Sequence, residues 1–175
     1  RAAERKDRWA YFRTMAGTKP IVVLLNSGMY SDAFTKKPYE GYSVYMNETL
    51  FWGVYPSFFS PNASSDPYWK NPSSIEIGRP YFKKFIPIIR EVASAGWRPV
   101  TRARAQQEAV SVERFGPGKD GAVYFTIRGM DDSFEGAAVI LIESGLFADK
   151  KKLACTEITS GESIRLNRKG NTIIG

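Results

Sequence analysis

Five consecutive apolar residues, 21–25, are followed directly by the polar residues Asn26, Ser27 and Gly28. A strand that is buried on both faces has this pattern, whereas a half-exposed strand alternates apolar and polar positions. Such strands occur in parallel sheets that helices cover on both sides, and the chemistry of those folds lies at the carboxyl ends of the strands. The pattern therefore predicts a buried strand over residues 21–26 with functional residues from Asn26 onwards.

A helical period precedes this strand and predicts a helix over residues 4–16. Its apolar face is predicted to contain Trp9, Phe12 and either Met15 or Ala16. Arg13 and the other basic residues of the helix are predicted to face water, because charged side chains occupy the solvated face of an amphipathic helix. The unit is thus a helix, a short turn and a strand, as in a repeating α/β fold.

Three further elements are predicted before residue 98. Residues 42–50 have the pattern of a short helix, and residues 52–59 that of a second apolar strand. A longer helix is predicted over residues 80–95, with a proline in its first turn and a glycine after its last residue. Pro87 lies inside this helix and lacks a backbone donor, so we expect a kink or a restart there.

After Trp97 the period changes from helical to alternating, and turn residues separate short apolar stretches. Five or six short strands at this spacing predict an antiparallel β-sandwich or part of one. The change of period divides the chain into a predicted α/β part, residues 1–98, and a predicted all-β part, residues 99–175. The predicted strands cover residues 110–114, 122–127, 137–142, 153–158 and 162–166, and Ile173 and Ile174 are predicted to belong to a further strand.

Composition and charge limit the partners of the chain. Its 175 residues are 43% hydrophobic, which is enough for a sizeable core. The net charge of +7 divides unevenly, with 14 basic and 8 acidic residues up to position 98 but 11 and 10 after it. The basic residues are scattered, so we predict no nucleic-acid groove and regard a basic nucleic-acid-binding protein as the least favoured alternative.

Missing residue types exclude several kinds of chemistry. The chain has no histidine, so it cannot supply a Ser-His-Asp triad or a histidine-ligated metal. Its one cysteine, Cys155, cannot form an internal disulfide, and it is predicted to be a buried strand thiol. We predict no metal and no cofactor. No stretch reaches the roughly 18 apolar residues of a membrane span, so no membrane partner is predicted.

The candidate binding residues fall after the two predicted strands. Asn26 can bind a substrate hydroxyl or satisfy loop backbone groups. Tyr30 and Asp32 follow it in the same segment, where Asp32 can be a general acid or base or a solvated loop residue. Tyr68 and Trp69 lie in a Ser-, Asn- and Pro-rich segment, and they can stack on sugar rings or bury that segment. Both interpretations of each residue stay open. Glu48, on the short helix, is predicted to face solvent.

Six motifs follow one another along the chain. They are YMNETLFWGVYPSFF at 45–59, DPYW at 66–69, RPYFKKFIPIIR at 79–90, AGWRPVT at 95–101, VERFG at 112–116 and VYFTI at 123–127. Their order resembles the last turn of a glycoside-hydrolase-like TIM barrel that is followed by a C-terminal β-sandwich. The resemblance covers about residues 4–170.

The resemblance implies that residues 21–26 are the seventh barrel strand, residues 52–59 the eighth, and residues 80–95 the closing helix. The fold expected is therefore the end of a (β/α)8 barrel followed by an antiparallel β-sandwich, as a fragment of a longer carbohydrate-active enzyme. The catalytic carboxylates of such barrels lie on earlier strands, so no catalytic residue is assigned to this chain. The expected partner is an oligo- or polysaccharide. A noncatalytic carbohydrate-binding or structural module is the principal alternative.

Overall fold

The computed structural model describes residues 2–17, 19–24, 38–57, 76–129, 137–150 and 152–175. These residues form a mixed α/β, sheet-rich structure, which confirms the predicted fold class at this coarse level. The described helices are α1 (Ala2–Ala16), α2 (Pro38–Trp52), α3 (Arg79–Ala95) and a short 3-10 helix (Ser144–Phe147). The described strands are β1 (Val22–Leu24), β2 (Tyr55–Ser57), β3 (Trp97–Arg98), β4 (Ala103–Ala105), β5 (Val110–Phe115), β6 (Tyr124–Gly129), β7 (Ile140–Glu143), β8 (Cys155–Thr156), β9 (Ser163–Ile164), β10 (Asn167–Lys169) and β11 (Thr172–Ile174).

The α/β part contains one parallel pair of strands. β1 and β2 are parallel neighbours, and α2 connects them, as expected for a βαβ unit. Val23 packs into the core, but Val22 is 58% exposed, so the prediction of a strand buried on both faces is wrong at this position. Alternate side chains of a strand point to opposite faces, so Val22 and Val23 lie on different faces, and it is Val23 that packs. The described strands form four separate open sheets, and no barrel closes among them.

The predicted helix over residues 80–95 is confirmed as α3. Pro80 lies in its first turn, and Gly96 ends it with a φ of 83° and an N–H that donates to the carbonyl of Ala93. The helix continues through Pro87 without a restart. Pro87 lies on the exposed side, where water can solvate the carbonyl group that has lost its donor. The opposite side, with Phe85 and Ile89, packs against α2.

The predicted helix over residues 4–16 is confirmed as α1, and Trp9 packs as predicted, but the predicted positions of Phe12, Met15 and Arg13 are wrong. Met15 is 70% exposed and Phe12 is partly exposed, whereas Arg13 is only 6% exposed. The buried side of the helix is built from Trp9 and Arg13 because Arg13 has a buried acidic partner, described below. A charged side chain is stable in a packed interface when it is paired and hydrogen-bonded.

The predicted antiparallel strands after Trp97 are confirmed in two larger sheets and one hairpin. One sheet has the order β3-β5-β6 and the other the order β10-β11-β7-β4, while β8 and β9 pair separately. The two larger sheets share a core of Val112, Ile140, Ile142 and Ile173. β3, β4 and β10 were not predicted. They have two or three residues each, and short strands of this kind depend on their pairing partners more than on their own sequence.

Candidate functional site

The five predicted site residues lie outside the described residues. Asn26, Tyr30 and Asp32 fall in the segment 25–37, and Tyr68 and Trp69 fall in the segment 58–75. What the structure describes is the framework from which both segments start and to which both return. The described part of the candidate functional site is this framework, formed by β1, β2 and α2.

The two segments start next to each other. In the parallel register of β1 and β2, Val23 pairs with Pro56 and Leu24 pairs with Ser57. The chain passes from β1 into segment 25–37 immediately after Leu24, and from β2 into segment 58–75 immediately after Ser57. Since both strands point the same way, both segments start at the same edge of the sheet. This is the carboxyl edge, where α/β folds place their binding residues.

A buried tyrosine fixes this edge. Tyr45 is fully buried on α2, and its hydroxyl lies 2.8 Å from the carbonyl oxygen of Val23 and 3.0 Å from that of Ser57. The same hydroxyl accepts a hydrogen bond from the N–H of Ser57 at 3.0 Å. One hydroxyl proton serves one carbonyl at a time. With the proton on the carbonyl of Val23, the shorter contact, the hydroxyl donates to β1 and accepts from the N–H of Ser57 on β2. Tyr45 thus ties together the ends of β1 and β2 from which the candidate segments start.

A buried ion pair joins α1 to the β part of the chain. Arg13 Nη2 donates to Glu113 Oε2 on β5 at 3.0 Å, and Trp97 Nε1 donates to the same oxygen at 2.6 Å. Arg13 Nη1 also donates to the carbonyl of Trp52 at 3.2 Å. Burial lowers the pKa of Arg13 to about 10, although Glu113 acts in the opposite direction. The pair is a structural contact, because its charged groups are already committed to each other.

Aromatic rings enclose the Arg13 guanidinium. Its carbon lies 4.1 Å from the ring centroid of Trp97 and 5.2 Å from that of Trp52. Trp9 stacks on Trp52 with a centroid separation of 5.9 Å. Guanidinium groups that lie over indole rings gain cation–π attraction, which is larger when water is excluded. The interface between α1, α2 and β5 is therefore held by one ion pair and the rings around it.

A second carboxylate ties α2 to β6. Glu48 accepts a hydrogen bond from Trp52 Nε1 at 2.9 Å and forms an ion pair with Arg128. Its side chain is 13% exposed, so the prediction that Glu48 faces solvent is wrong. The reason is the packing of β6 against α2, where Thr126 Oγ1 also donates to the carbonyl of Phe51 at 2.8 Å. The sequence of α2 alone does not indicate this partner.

The described residues offer no metal centre and no membrane span. No group of three or more acidic, cysteine or histidine residues that could hold a metal ion occurs in the described ranges. Within the same part of the chain, no helix is long and apolar enough to cross a membrane. Cys155 is a free, partly buried thiol on β8.

Comparisons with known proteins do not assign a function to the chain. No family model matches the chain, and no curated protein or solved structure matches it either.

Sequence reasoning missed the residues that hold the framework together. Arg13 and Glu113 are 100 positions apart, and each sits in a pattern typical of a solvent-facing residue. Glu113 follows the apolar residue Val112 in the sequence, but its burial results from the packing of both faces of β5, which the local sequence does not show. Tyr45 gave no signal that separates a buried hydroxyl from an ordinary helix tyrosine.

Proposed function

We propose that the chain is part of a carbohydrate-active protein and contributes the rim of a sugar-binding cleft. The observation that carries this proposal is the parallel register of Leu24 with Ser57, tied by Tyr45. Because of this register, the two segments that contain all five candidate residues start at the same edge of the sheet. Two polar, aromatic segments on one edge are the usual construction of a ligand site in an α/β fold.

The side chains of these segments suit sugars. Asn26 and Asp32 offer hydrogen-bonding groups for hydroxyls, and Tyr30 offers both a ring and a hydroxyl. Tyr68 and Trp69 offer flat apolar faces for the C–H face of a sugar ring. We propose that the α/β part is the end of a glycoside-hydrolase-like TIM barrel and that the sheets after Trp97 form its accessory β-sandwich.

This chain is proposed to bind rather than to supply the catalytic acid and base. Glu48 and Glu113 are the carboxylates most enclosed in the part of the chain that the structure describes, and each is ion-paired with an arginine. A general acid or base must be free to exchange a proton with substrate, which these pairings oppose. We propose that the catalytic carboxylates lie on other strands of a complete barrel. If the protein has no such strands, the proposed function is that of a noncatalytic binding module.

Affinity electrophoresis in gels that contain soluble β-glucan, xylan or amylopectin tests this proposal. We expect one of these polysaccharides to retard the 175-residue chain, and Tyr68→Ala and Trp69→Ala each to weaken the affinity about tenfold or more. Tyr11→Ala is the matched control, because Tyr11 is a well-exposed aromatic on α1. It should leave the retardation unchanged, and thermal unfolding should show that all three variants remain folded.

Two results would contradict the proposal. Absence of retardation by every polysaccharide would remove the carbohydrate ligand. Retardation that Tyr68→Ala and Trp69→Ala leave intact, together with a lower thermal stability of both variants, would show that the two rings pack inside the protein and do not bind sugar.

A further inference from the structure

Three arginines come together at one end of the core between the two larger sheets. Arg98 on β3 and Arg114 on β5 are directly opposite each other in the antiparallel register. Like charges in directly opposite positions destabilise a sheet. Arg102, just before β4, is near enough for its charge to act on Arg114. These three residues are called the arginine cluster below.

Arg114 is the buried member of the arginine cluster. Its exposed fraction is 8%, and its Nε atom is buried without a hydrogen-bond partner. It lies on the same face of β5 as Val112, which belongs to the shared core. Burial first, and then the charges of Arg102 and Arg98, lower the pKa of Arg114, while Glu143 raises it. Arginine keeps its proton at neutral pH even so, and a buried donor without an acceptor is unfavourable.

Among the described residues, the carboxylate that acts on Arg114 is already engaged. Glu143 Oε2 accepts a hydrogen bond from Arg102 Nε at 2.9 Å, and its side chain is largely exposed. Arg98 Nε donates to the carbonyl of Gly116 at 3.3 Å. Glu143 acts on Arg102 and on Arg114, so among the described residues the three guanidinium groups of the cluster have one neighbouring carboxylate, an excess of two positive charges. This excess calls for an anion that the described residues do not provide.

The backbone and the surface beside the cluster are consistent with a binding site. Arg102 has a φ of 54°, a left-handed conformation that is unfavourable for a residue other than glycine. Of the arginine cluster, Arg102 lines a depression of about 180 Å³, together with Arg104, Glu143 and Thr172, while Arg98 and Arg114 lie outside its lining. This volume is smaller than that of a typical site for a drug-sized molecule, and it suits a small polar group.

We propose that Arg98, Arg102 and Arg114 form a binding site for a tetrahedral oxyanion, namely phosphate or sulfate, either free or as a group on a small molecule. Guanidinium groups bind such oxyanions through pairs of charge-assisted hydrogen bonds, and several of them around one anion offset their mutual repulsion. The site is formed by residues after Ala95 and does not depend on the proposed sugar cleft.

Isothermal titration calorimetry of the 175-residue chain tests the proposal. Phosphate, sulfate and glycerol 1-phosphate are titrated separately at one ionic strength set by potassium chloride, so that general screening stays constant. We expect saturable binding with one site per chain, and a rise in thermal stability that follows the occupancy of the site. Tighter binding of glycerol 1-phosphate than of phosphate would identify an organic phosphate as the ligand, and equal binding would identify the free ion.

Arg98→Gln is the decisive variant, because Arg98 is exposed and its replacement leaves the core unchanged. It should weaken oxyanion binding about tenfold or more while leaving the stability of the unliganded protein equal or higher, since it removes the opposed charge. Arg114→Leu should abolish oxyanion binding. If Arg114→Leu does not fold, the affinity of Arg98→Gln alone tests the proposal. Arg90→Gln, which changes an exposed arginine on α3, is the matched control and should bind normally.

Three outcomes would overturn the proposal. One is the absence of saturable binding at constant ionic strength. Another is an equal loss of affinity in Arg90→Gln and Arg98→Gln, which would indicate diffuse attraction by net charge. The third is unchanged affinity in Arg98→Gln. Binding of neutral polysaccharide is measured separately and plays no part in this result.

Discussion

At the scale of single residues, the Arg13–Glu113 pair stands out because both charges are buried. Taking two charges out of water is unfavourable, and their attraction offsets this only when the hydrogen bonds are good. Here Glu113 accepts from both Arg13 and Trp97, and two tryptophan rings flank the guanidinium. Loss of one partner would leave the other charge buried and unpaired, so each residue depends on the other.

We expect Arg13→Met to lower the free energy of unfolding by about 3–5 kcal/mol, because it leaves the Glu113 carboxylate buried without its cation. The double variant Arg13→Met/Glu113→Gln should be more stable than the single variant, since it removes both charges. Arg8→Met, at an exposed position of the same helix, should change stability by less than about 0.5 kcal/mol. Urea unfolding followed by tryptophan fluorescence measures all three. A double variant no more stable than Arg13→Met would argue against the pair.

At the scale of elements, the β8–β9 hairpin depends on one acidic side chain in its turn. The Glu157 carboxylate accepts hydrogen bonds from Thr159 N and Thr159 Oγ1 at 2.9 and 2.7 Å, and from Ser160 N at 2.6 Å. Burial raises the pKa of Glu157, but the hydrogen bonds from Ser160 and Thr159 outweigh it and lower the pKa from 4.5 to about 2. The charged form of Glu157 therefore favours the folded turn.

The acid stability of this hairpin follows from that pKa. Because the folded pKa of Glu157 is lowered, its contribution is complete above about pH 4.5 and is lost as the pH falls towards 2. NMR titration of the Glu157 carboxyl carbon should give a pKa of about 2. Thr159→Val removes the hydroxyl donor and should raise this pKa towards 4.5. A pKa near 4.5 in the unmodified chain would show that the turn does not hold the carboxylate.

The elements differ in how far the sequence predicts them. α3 has strong apolar periodicity, with a proline in its first turn and a glycine after its last residue. The periodicity of α1 is weak, but Gly17 and Pro20 mark its end, and both helices were predicted within a few residues. α2 is longer than predicted, because its aromatic residues also fit a strand and its last residue, Trp52, was assigned to β2. The faces of α1 could not be predicted, since burial of Arg13 requires a partner on a strand far away in the chain.

At the scale of the whole molecule, one close approach joins the α/β part to the sheets that follow. Gly53, between α2 and β2, has a φ of 63°, and a Cβ added there would lie 2.3 Å from Cε1 of Phe115 on β5. Phe115 is almost fully buried, so its ring cannot move away easily. The predicted boundary between residues 98 and 99 stays a prediction, but contacts between the two parts are extensive enough that we expect them to unfold together.

Gly53→Ala should therefore be much more harmful than an alanine at another left-handed glycine. We expect a loss of about 2–4 kcal/mol, from backbone strain and from overpacking against Phe115. Gly17→Ala is the matched control, because Gly17 has a φ of 59° and open space where its Cβ would be, so strain alone applies, at about 1–2 kcal/mol. Differential scanning calorimetry compares the two variants. Equal losses would mean that the Phe115 contact is absent.

The two candidate sites also differ in how far the sequence predicts them. The five residues of the proposed sugar cleft were found from composition and from their position after apolar strands, which are local properties. The arginine cluster was not found, because Arg98, Arg102 and Arg114 meet only through the pairing of β3 with β5 and the approach of β4. The sequence pattern predicted that the scattered basic residues form a solvated face. In the structure, the pairing of the strands brings three of them together.

The hydroxyl of Tyr45 has a consequence for how the protein can change. It fixes the ends of β1 and β2 from beneath, through backbone atoms of Val23 and Ser57 and not through the side chains that follow them. Segments 25–37 and 58–75 can therefore vary in sequence and in length while their starting points stay in place. We expect exchange of either segment to leave β1 and β2 paired as long as Tyr45 is kept.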